Sequence, residues 1–272
     1  MTNLIIGAGL IGLTTALELL NRGQQVTLVD SGESEAQGAS FANGGLLTPS
    51  MSDPWNTPGV HRHLAEYLFG SDSALKVRWS AIPSLLSWGP HFLLNSRPGR
   101  YRAATLANYE LGVYSLAVLD ELRDDLALSF DAADKGTLKF FRSSQALDAA
   151  MRVTNQLQGH GLEASELSPG DTVVLEPCLT PIADQLARAI HYPQDKSGGA
   201  LLFCQAVADR VRKLGGSFHF GREVRAIDVR DGRVAGVDLG DGVMQADNVV
   251  VAAGSASPAL AGKLGVRLAI RP

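Results

Sequence analysis

Cysteine is scarce in this sequence: Cys178 and Cys204 are the only two among 272 residues. They form no CxxC pair and no metal-ligand spacing, which excludes a disulfide scaffold and a cysteine-based metal site. Both lie among apolar neighbours, so both are predicted to be buried thiols in a reducing cytoplasm. Charge is sparse as well, at 19% of residues with a net charge of -4. Lys and Arg are scattered among acids, which argues against a nucleic-acid partner. The one short basic cluster, Arg97, Arg100 and Arg102, reads as a solvated helix start. Long apolar runs are also missing. The best candidate, Leu4 to Leu20, contains three glycines, two threonines and Glu18. It has no basic flank or small-residue cleavage site, so it is neither a signal peptide nor a membrane span. Internal repeats and low-complexity tracts are absent. What remains is a soluble protein, 45% hydrophobic and able to build a large core.

The chain opens with a readable unit. Asn3 to Ile6 is a short apolar strand, followed by a glycine turn and a helix to about Arg22. Leu13, Ala16, Leu17 and Leu20 recur at helical spacing and define one packed face. Gly23 ends the helix, and Gln25 to Asp30 is a second strand. Strand, turn, helix and strand in that order call for a parallel pair with a right-handed crossover. The Ser/Gly/Asn/Pro-rich stretch from Ser31 to Gly59 is long for a connection and is read as a functional loop. From His61 to Leu128 the pattern is helical, clearest in the leucines between Leu106 and Leu126. Further elements are expected at Gly136–Arg142 (strand), Gln145–Gly159 (helix), Leu186–Tyr192 (strand), Pro193–Gly199 (turn) and Gly199–Leu214 (helix). A run of strands follows, with hairpin turns at Asp231-Gly232 and Asp241-Gly242. Val249 to Ala253 is almost continuously apolar, as in a strand buried on both faces, and Val266 to Ile270 reads as a last apolar strand.

Gly7, Gly9 and Gly12 spell G-x-G-x-x-G between the first strand and the first helix, with Asp30 at the end of the second strand. That context makes the motif specific for a dinucleotide. Gly7 permits the tight turn, Gly9 lets the backbone approach a pyrophosphate, and Gly12 lets helix and strand lie close. The turn residues Ala8, Leu10 and Ile11 bring the helix N-terminus, with its unpaired N–H groups and partial positive charge, to the phosphates. Asp30 accepts from ribose hydroxyls, and its charge argues against NADP. A simple nicotinamide enzyme continues with more alternating strands and helices. Here the second strand runs into the loop and a helical insertion, and the core sheet resumes at Val249 to Ala253. That layout favours FAD, with an NAD enzyme as the remaining alternative.

These residues, with ASFANGGLLTPS at Ala39–Ser50, DPWNTPGV at Asp53–Val60, GTLKFFRS at Gly136–Ser143, GREV at Gly221–Val224 and VVVAAGSAS at Val249–Ser257, give a chain that resembles the FAD-dependent amino-acid oxidase superfamily. Its likeness is greatest to the D-amino-acid dehydrogenases. The resemblance implies an α/β fold: a Rossmann-like FAD-binding domain, with a parallel sheet and a crossover β-meander, at 1–80 and 196–272. A partial α+β substrate domain is inserted at 81–195. It implies that Ser40, Asn43, Gly44, Gly45 and Leu46 run along the flavin and its pyrophosphate, where small residues and backbone N–H groups suit a close approach. It implies a backbone contact from Val224 to the adenine, and a strand end at Ala252, Ala253 and Gly254 passing the ADP. The family's chemistry is hydride transfer from an amino acid's Cα to flavin N5, giving an imino acid that hydrolyses to a 2-oxo acid and ammonia. Electrons pass on to a quinone or another carrier.

The family continues beyond the point where this sequence stops, so the fold is expected to be incomplete at the C-terminus. A second chain completing the site, or a catalytically incomplete FAD-binding subunit, is the alternative. No catalytic residue is assigned and no metal is expected. His191 is read as structural, His61 and His63 fit no metal pattern, and Trp79 and Trp88 are read as core or interface residues. A cytoplasmic location is expected, with a peripheral site at the inner face of the plasma membrane left open.

Overall fold

A computed structural model of the chain describes residues 1–60 and 88–268. The expectations for His61, His63, Trp79, the helical pattern through residue 87 and residues 269–272 lie outside them. Strand β1 (Thr2–Ile6) leads through the glycine turn to helix α1 (Leu10–Asn21) and strand β2 (Gln25–Val29). β3 (Leu46–Leu47) is followed by a 3-10 turn at Pro49–Met51. Helices α2 (Gly89–Asn95) and α3 (Pro98–Leu126) come next. Then come β4 (Thr137–Phe141), α4 (Ser144–Gln158), β5 (Ser165–Leu167), α5 (Pro169–Leu175) and β6 (Arg188–Tyr192). β7 (Lys196–Ser197) precedes α6 (Ala200–Lys213) and β8 (Ser217–His219). β9 (Ala226–Arg230), β10 (Arg233–Asp238), β11 (Val243–Gln245), β12 (Asn248–Val251) and α7 (Ser257–Gly262) follow.

The chain divides into two compact units, one of Met1–Gly45, Leu122–Ala132 and Gly198–Pro272, the other of Leu46–Glu121 and Ala133–Ser197. The first unit holds a four-stranded sheet in the order β12-β1-β2-β8, all of it parallel. Register explains its layering. Leu4 pairs with Val249 and Ile6 with Val251, and these four share one face because side chains alternate along a strand. That face packs with Val29 on Ile227, Val237 and Met244 of the antiparallel meander β11-β10-β9. Ile5 and Leu28, on the opposite face, are buried on the side where α1 lies against β1, β2 and α6, and Leu13, Leu17, Val207 and Val211 of those two helices are buried as well. Each such side chain contributes about 1.5–3 kcal/mol on burial.

The sequence expectations hold in outline and shift in detail. At the first hairpin both Asp231 (φ 51°) and Gly232 (φ 75°) are left-handed, as a tight two-residue turn requires. The second hairpin pivots instead on Gly240 (φ 89°), one residue before Asp241. Val249–Val251 lies at the edge of the described sheet and is only half-buried, not buried on both faces. Glu223 and Val224 precede β9. Val266–Leu268 carry no strand.

The second unit is built on the antiparallel sheet β4-β6-β5 and the short pair β3-β7. The expected turn at Pro193–Gly199 thus contains a two-residue strand, too short to announce itself by pattern. Helix α4 is capped by Ser143, whose hydroxyl accepts from the Ala146 amide. It packs Leu147 and Leu157 against Phe141, Ile190 and Tyr192. The buried stripe of α3 is Tyr101, Thr105 and Tyr109, spaced four apart. Leu111 and Val113, which project off that stripe, are 64% and 45% exposed. The basic cluster sits as expected at the start of α3, exposed.

Candidate functional site

The glycine turn is built by close approach. The Gly7 amide donates to the Val29 carbonyl at 2.8 Å, and the residue's φ of +107° is closed to most side chains. A Cβ at Gly7 would run into the Ala252 carbonyl. A Cβ at Gly12 would strike the Gly7 carbonyl and lie 3.4 Å from Ile5 Cγ2, so α1 can rest on β1 only without one. The Gly9 carbonyl accepts the first bond of α1, from the Leu13 amide, at 2.9 Å. The first turn of α1 carries no acid, which leaves its positive end available to an anion. The Ser40 hydroxyl reaches this end and accepts from the Leu10 amide at 3.1 Å.

Asp30 is tied into the same cluster. Its carboxylate accepts from the Ala8 amide at 2.6 Å and from the Gly32 amide at 2.7 Å. The GREV run follows beside it, with the Arg222 amide donating to the Asp30 carbonyl at 2.9 Å and the Gly221 amide to Gly32 at 2.7 Å. Val224 turns its side chain into the core beside Leu4 and Ile6. Ala252 closes the strand end, its amide donating to the Ile6 carbonyl at 2.8 Å. Ala253 follows it, with an amide nitrogen 3.2 Å from where a Gly7 Cβ would lie. Gly254 (φ 54°) starts a 3-10 turn.

Thus Gly7, Ala8, Gly9, Leu10, Gly12, Asp30, Ser40, Ala252 and Ala253 come together. Ile11 does not join them and is 64% exposed. Asn43 and Gly44 are exposed, and the Asn43 side chain accepts from the Gly45 amide at 2.9 Å. The Gly45 carbonyl accepts from the Gly198 amide at 2.8 Å. Leu46 begins β3 in the second unit and is 58% exposed.

Two residues of the first-unit cluster carry no sequence signal. Ala36 is buried, adopts φ 60°, and donates its amide to the Ala8 carbonyl at 3.0 Å; alanine rarely marks a left-handed position. Cys204 is fully buried on α6, and burial pushes its thiol up to about 11, against a hydrogen bond from Ser40 that lowers it. Cys178, by contrast, is exposed. The expectation that both cysteines are buried fails there because Pro177–Gln185 is a 3-10 stretch with no buried residue.

In the second unit Asp195 is 1% exposed. It accepts from the Ser50 amide at 3.2 Å, the Ser50 hydroxyl at 2.5 Å and the Thr137 hydroxyl at 2.5 Å. In the sequence it looks like an ordinary turn aspartate. Its neighbour Lys196 pairs with Asp120 at 2.8 Å and Asp134 at 3.2 Å. His191 is half-buried on β6 with Nε2 3.4 Å from the Lys135 carbonyl. Trp88 is 38% exposed, with its ring 4.6 Å from that of Phe92. Among the described residues no group of acids, histidines and cysteines is arranged to hold a metal ion.

A parallel sheet with a glycine turn at α1, an acid ending β2 and a crossover meander define a dinucleotide-binding α/β protein. The family model described as FAD dependent oxidoreductase matches residues 3–272, and the chain belongs to that family. The D-amino acid dehydrogenase of Sinorhizobium medicae (strain WSM419) is 35% identical over 272 residues, covering 100% of this chain and 65% of the relative. That of Paramagnetospirillum magneticum (strain ATCC 700264 / AMB-1) is 34% identical over 273 residues, again covering 100% and 65%. This chain therefore spans 65% of the length of these relatives. Among solved structures, L-proline dehydrogenase from P. horikoshii superimposes with a TM-score of 0.70 at 15% identity, over 99% of this chain and 57% of that one. Glycine oxidase from Bacillus cereus ATCC 14579 gives 0.64 at 21% identity, over 96% and 57%. These two likenesses concern the fold. FAD is the cofactor of the family, and the observed cluster fits its ADP half: a helix end without acids, a turn that side chains would fill, and a carboxylate at the end of β2.

Proposed function

We propose that this chain is the FAD-binding part of an amino-acid dehydrogenase that oxidises a D-amino acid to a 2-oxo acid and ammonia. The observation that carries the reading is the match along the whole chain to D-amino acid dehydrogenases at 35% identity. The cluster around Gly7, Asp30 and Ser40 supplies a physical place for the cofactor. In this reading the amides at the start of α1 and the hydroxyl of Ser40 hold the pyrophosphate. Asp30 holds the ribose, and the Val224 backbone lies at the adenine. Asn43, Gly44, Gly45 and Leu46 run toward the flavin ring, with Ala252, Ala253 and Gly254 along the ADP. The first unit is the FAD-binding domain and the second belongs to the substrate domain. FAD supplies a two-electron acceptor for the hydride leaving the substrate Cα. The protein's own work is to orient both partners and to exclude water. A quinone or another carrier takes the electrons onward.

No helix among the described residues is long and apolar enough to cross a membrane. The two free cysteines support a cytoplasmic location, with peripheral association at the inner face of the plasma membrane as the finer reading.

The test is direct. The purified chain is mixed with FAD and its visible spectrum recorded, and dye reduction is then followed with D-alanine or D-proline and their L-enantiomers. Bound FAD with reduction by D-substrates supports the reading. Bound FAD without reduction favours an FAD-binding chain that needs a partner. A chain that refuses FAD refutes both.

A further inference from the structure

We propose that Asp195 is a positioning residue for the flavin half of the cofactor, holding the exit of the Ser40–Leu46 segment through Ser50 and Thr137; this rests on the FAD reading above.

The segment proposed to run along the flavin continues directly into β3, and β3 is short. Leu46 and Leu47 pair with Ser197 and Lys196, and two residues of ladder are weak restraint for a loop. Three residues on, the Ser50 amide and hydroxyl both donate to Asp195, at 3.2 and 2.5 Å. The same carboxylate accepts from Thr137 at the start of β4, at 2.5 Å. Its own amide donates to the Tyr192 carbonyl at 3.3 Å, which ends β6. The side chain thus ties the strand exit at Ser50 to β4 at Thr137, across sequence separations of 145 and 58 residues, while the residue's backbone amide holds it to the end of β6.

The chemistry is unusual for a plain tether. Asp195 is 1% exposed and pairs with no cation among the described residues. A buried anion carries a desolvation cost that a neutral side chain avoids. Here three donors offset it, and such a fully satisfied network rigidifies what it touches. The charge reaches further: Tyr109 and Tyr192 are both pushed up, first by burial and then in part by Asp195. A charged, fully satisfied acceptor gives shorter and stronger bonds than an amide does, which suits a segment whose position must be fixed more closely than folding alone requires.

The experiment uses the 272-residue chain, titrated separately with FAD and with ADP, and compares wild type with Asp195→Ala and Asp195→Asn. ADP reports the glycine turn of the first unit, whereas FAD reports the turn and the flavin segment together. The expected result is a loss of FAD affinity of tenfold or more in Asp195→Ala, with ADP affinity within twofold of wild type. The visible band of the bound flavin also shifts. Asp195→Asn restores part of the loss, since its amide oxygen still accepts one hydroxyl. Should Asp195→Ala not fold, Ser50→Ala and Thr137→Val each remove one donor and are expected to show the same selective loss in smaller measure. FAD and ADP affinities falling together, or an unchanged FAD affinity and spectrum in the folded variants, overturns the proposal. A wild-type chain that binds ADP but not FAD also overturns it, and one that binds neither refutes the underlying FAD reading.

Discussion

Replacing Asp30 by alanine is expected to damage the protein before any cofactor is added. The side chain bonds two backbone amides, Ala8 at 2.6 Å and Gly32 at 2.7 Å. Hydrogen bonds to a charged group contribute about 1.5–3 kcal/mol each when buried. The Asp30 site is half-buried, so the lower end applies, and the two together come to about 3 kcal/mol. For a protein of this size each kcal/mol moves Tm by about 2–4 °C, which places the apo variant about 6–12 °C below wild type. On the proposed ribose role of Asp30, binding suffers separately: FAD affinity falls by a further 1–3 kcal/mol or so, about 5- to 150-fold. Circular dichroism melts without ligand measure the first effect, and titration of folded variant with FAD, well below its melting point, measures the second. An apo Tm within 1 °C or so of wild type refutes the structural role. Equal FAD affinity refutes the ribose role while leaving the structural one intact.

Three further outcomes are expected. Gly12→Ala places a methyl group against the Gly7 carbonyl and Ile5, and the overpacking is expected to cost about 1–3 kcal/mol in urea unfolding and to abolish tight FAD binding; wild-type stability contradicts the packing argument. With a thiol reagent on the native protein, exposed Cys178 reacts first, and buried Cys204, whose thiol is pushed up to about 11, reacts only on unfolding; equal rates contradict this. Burial, with Asp53 adding to it, pushes Tyr101 up from 10.0 to about 12. Its raised folded-state value means its contribution is complete below pH 10 and lost as pH climbs toward 12, so ultraviolet titration should find Tyr101 ionising late and Tyr101→Phe should weaken the alkaline decline in stability.

What could be read in the sequence was what the backbone itself demands. The glycines at 7, 9 and 12, the acid at 30 and the turn at Asp231-Gly232 are chemical necessities of their local geometry, so residue type announces position. The parallel pairing of β1 and β2 followed from the order strand, turn, helix, strand. Less legible were features set by distant partners. Val249–Val251 looked like a central strand because apolar runs report burial without saying on how many sides. The leucines of α3 carried its helical pattern, yet its fully buried stripe is Tyr101, Thr105 and Tyr109, since aromatic bulk and a threonine that bonds its own helix at the Tyr101 carbonyl satisfy that core. Asp195 could not be picked out at all: a Pro-Gln-Asp-Lys turn gives no sign that Ser50 and Thr137, far away in the chain, converge on it.

The anchors of the candidate site differ in how they are prepared for a ligand, and this decides what each contributes. Asp30 is already oriented by two amides, so accepting a ribose hydroxyl on its remaining lone pairs costs little further ordering, and preorganisation of this kind favours affinity. Ser40 is prepared in the opposite sense. Its hydroxyl now takes the Leu10 amide, a donor that a phosphate would also seek, so an anion there must share that amide or replace the hydroxyl on it. The gain at the helix end is then a difference between two acceptors, one neutral and one charged, rather than a bond made from nothing. The dipole of α1 favours the charged one. Under the proposed function, Asp30 is then the fixed point of the site, and the loop that carries Ser40 is the part that adjusts to the cofactor.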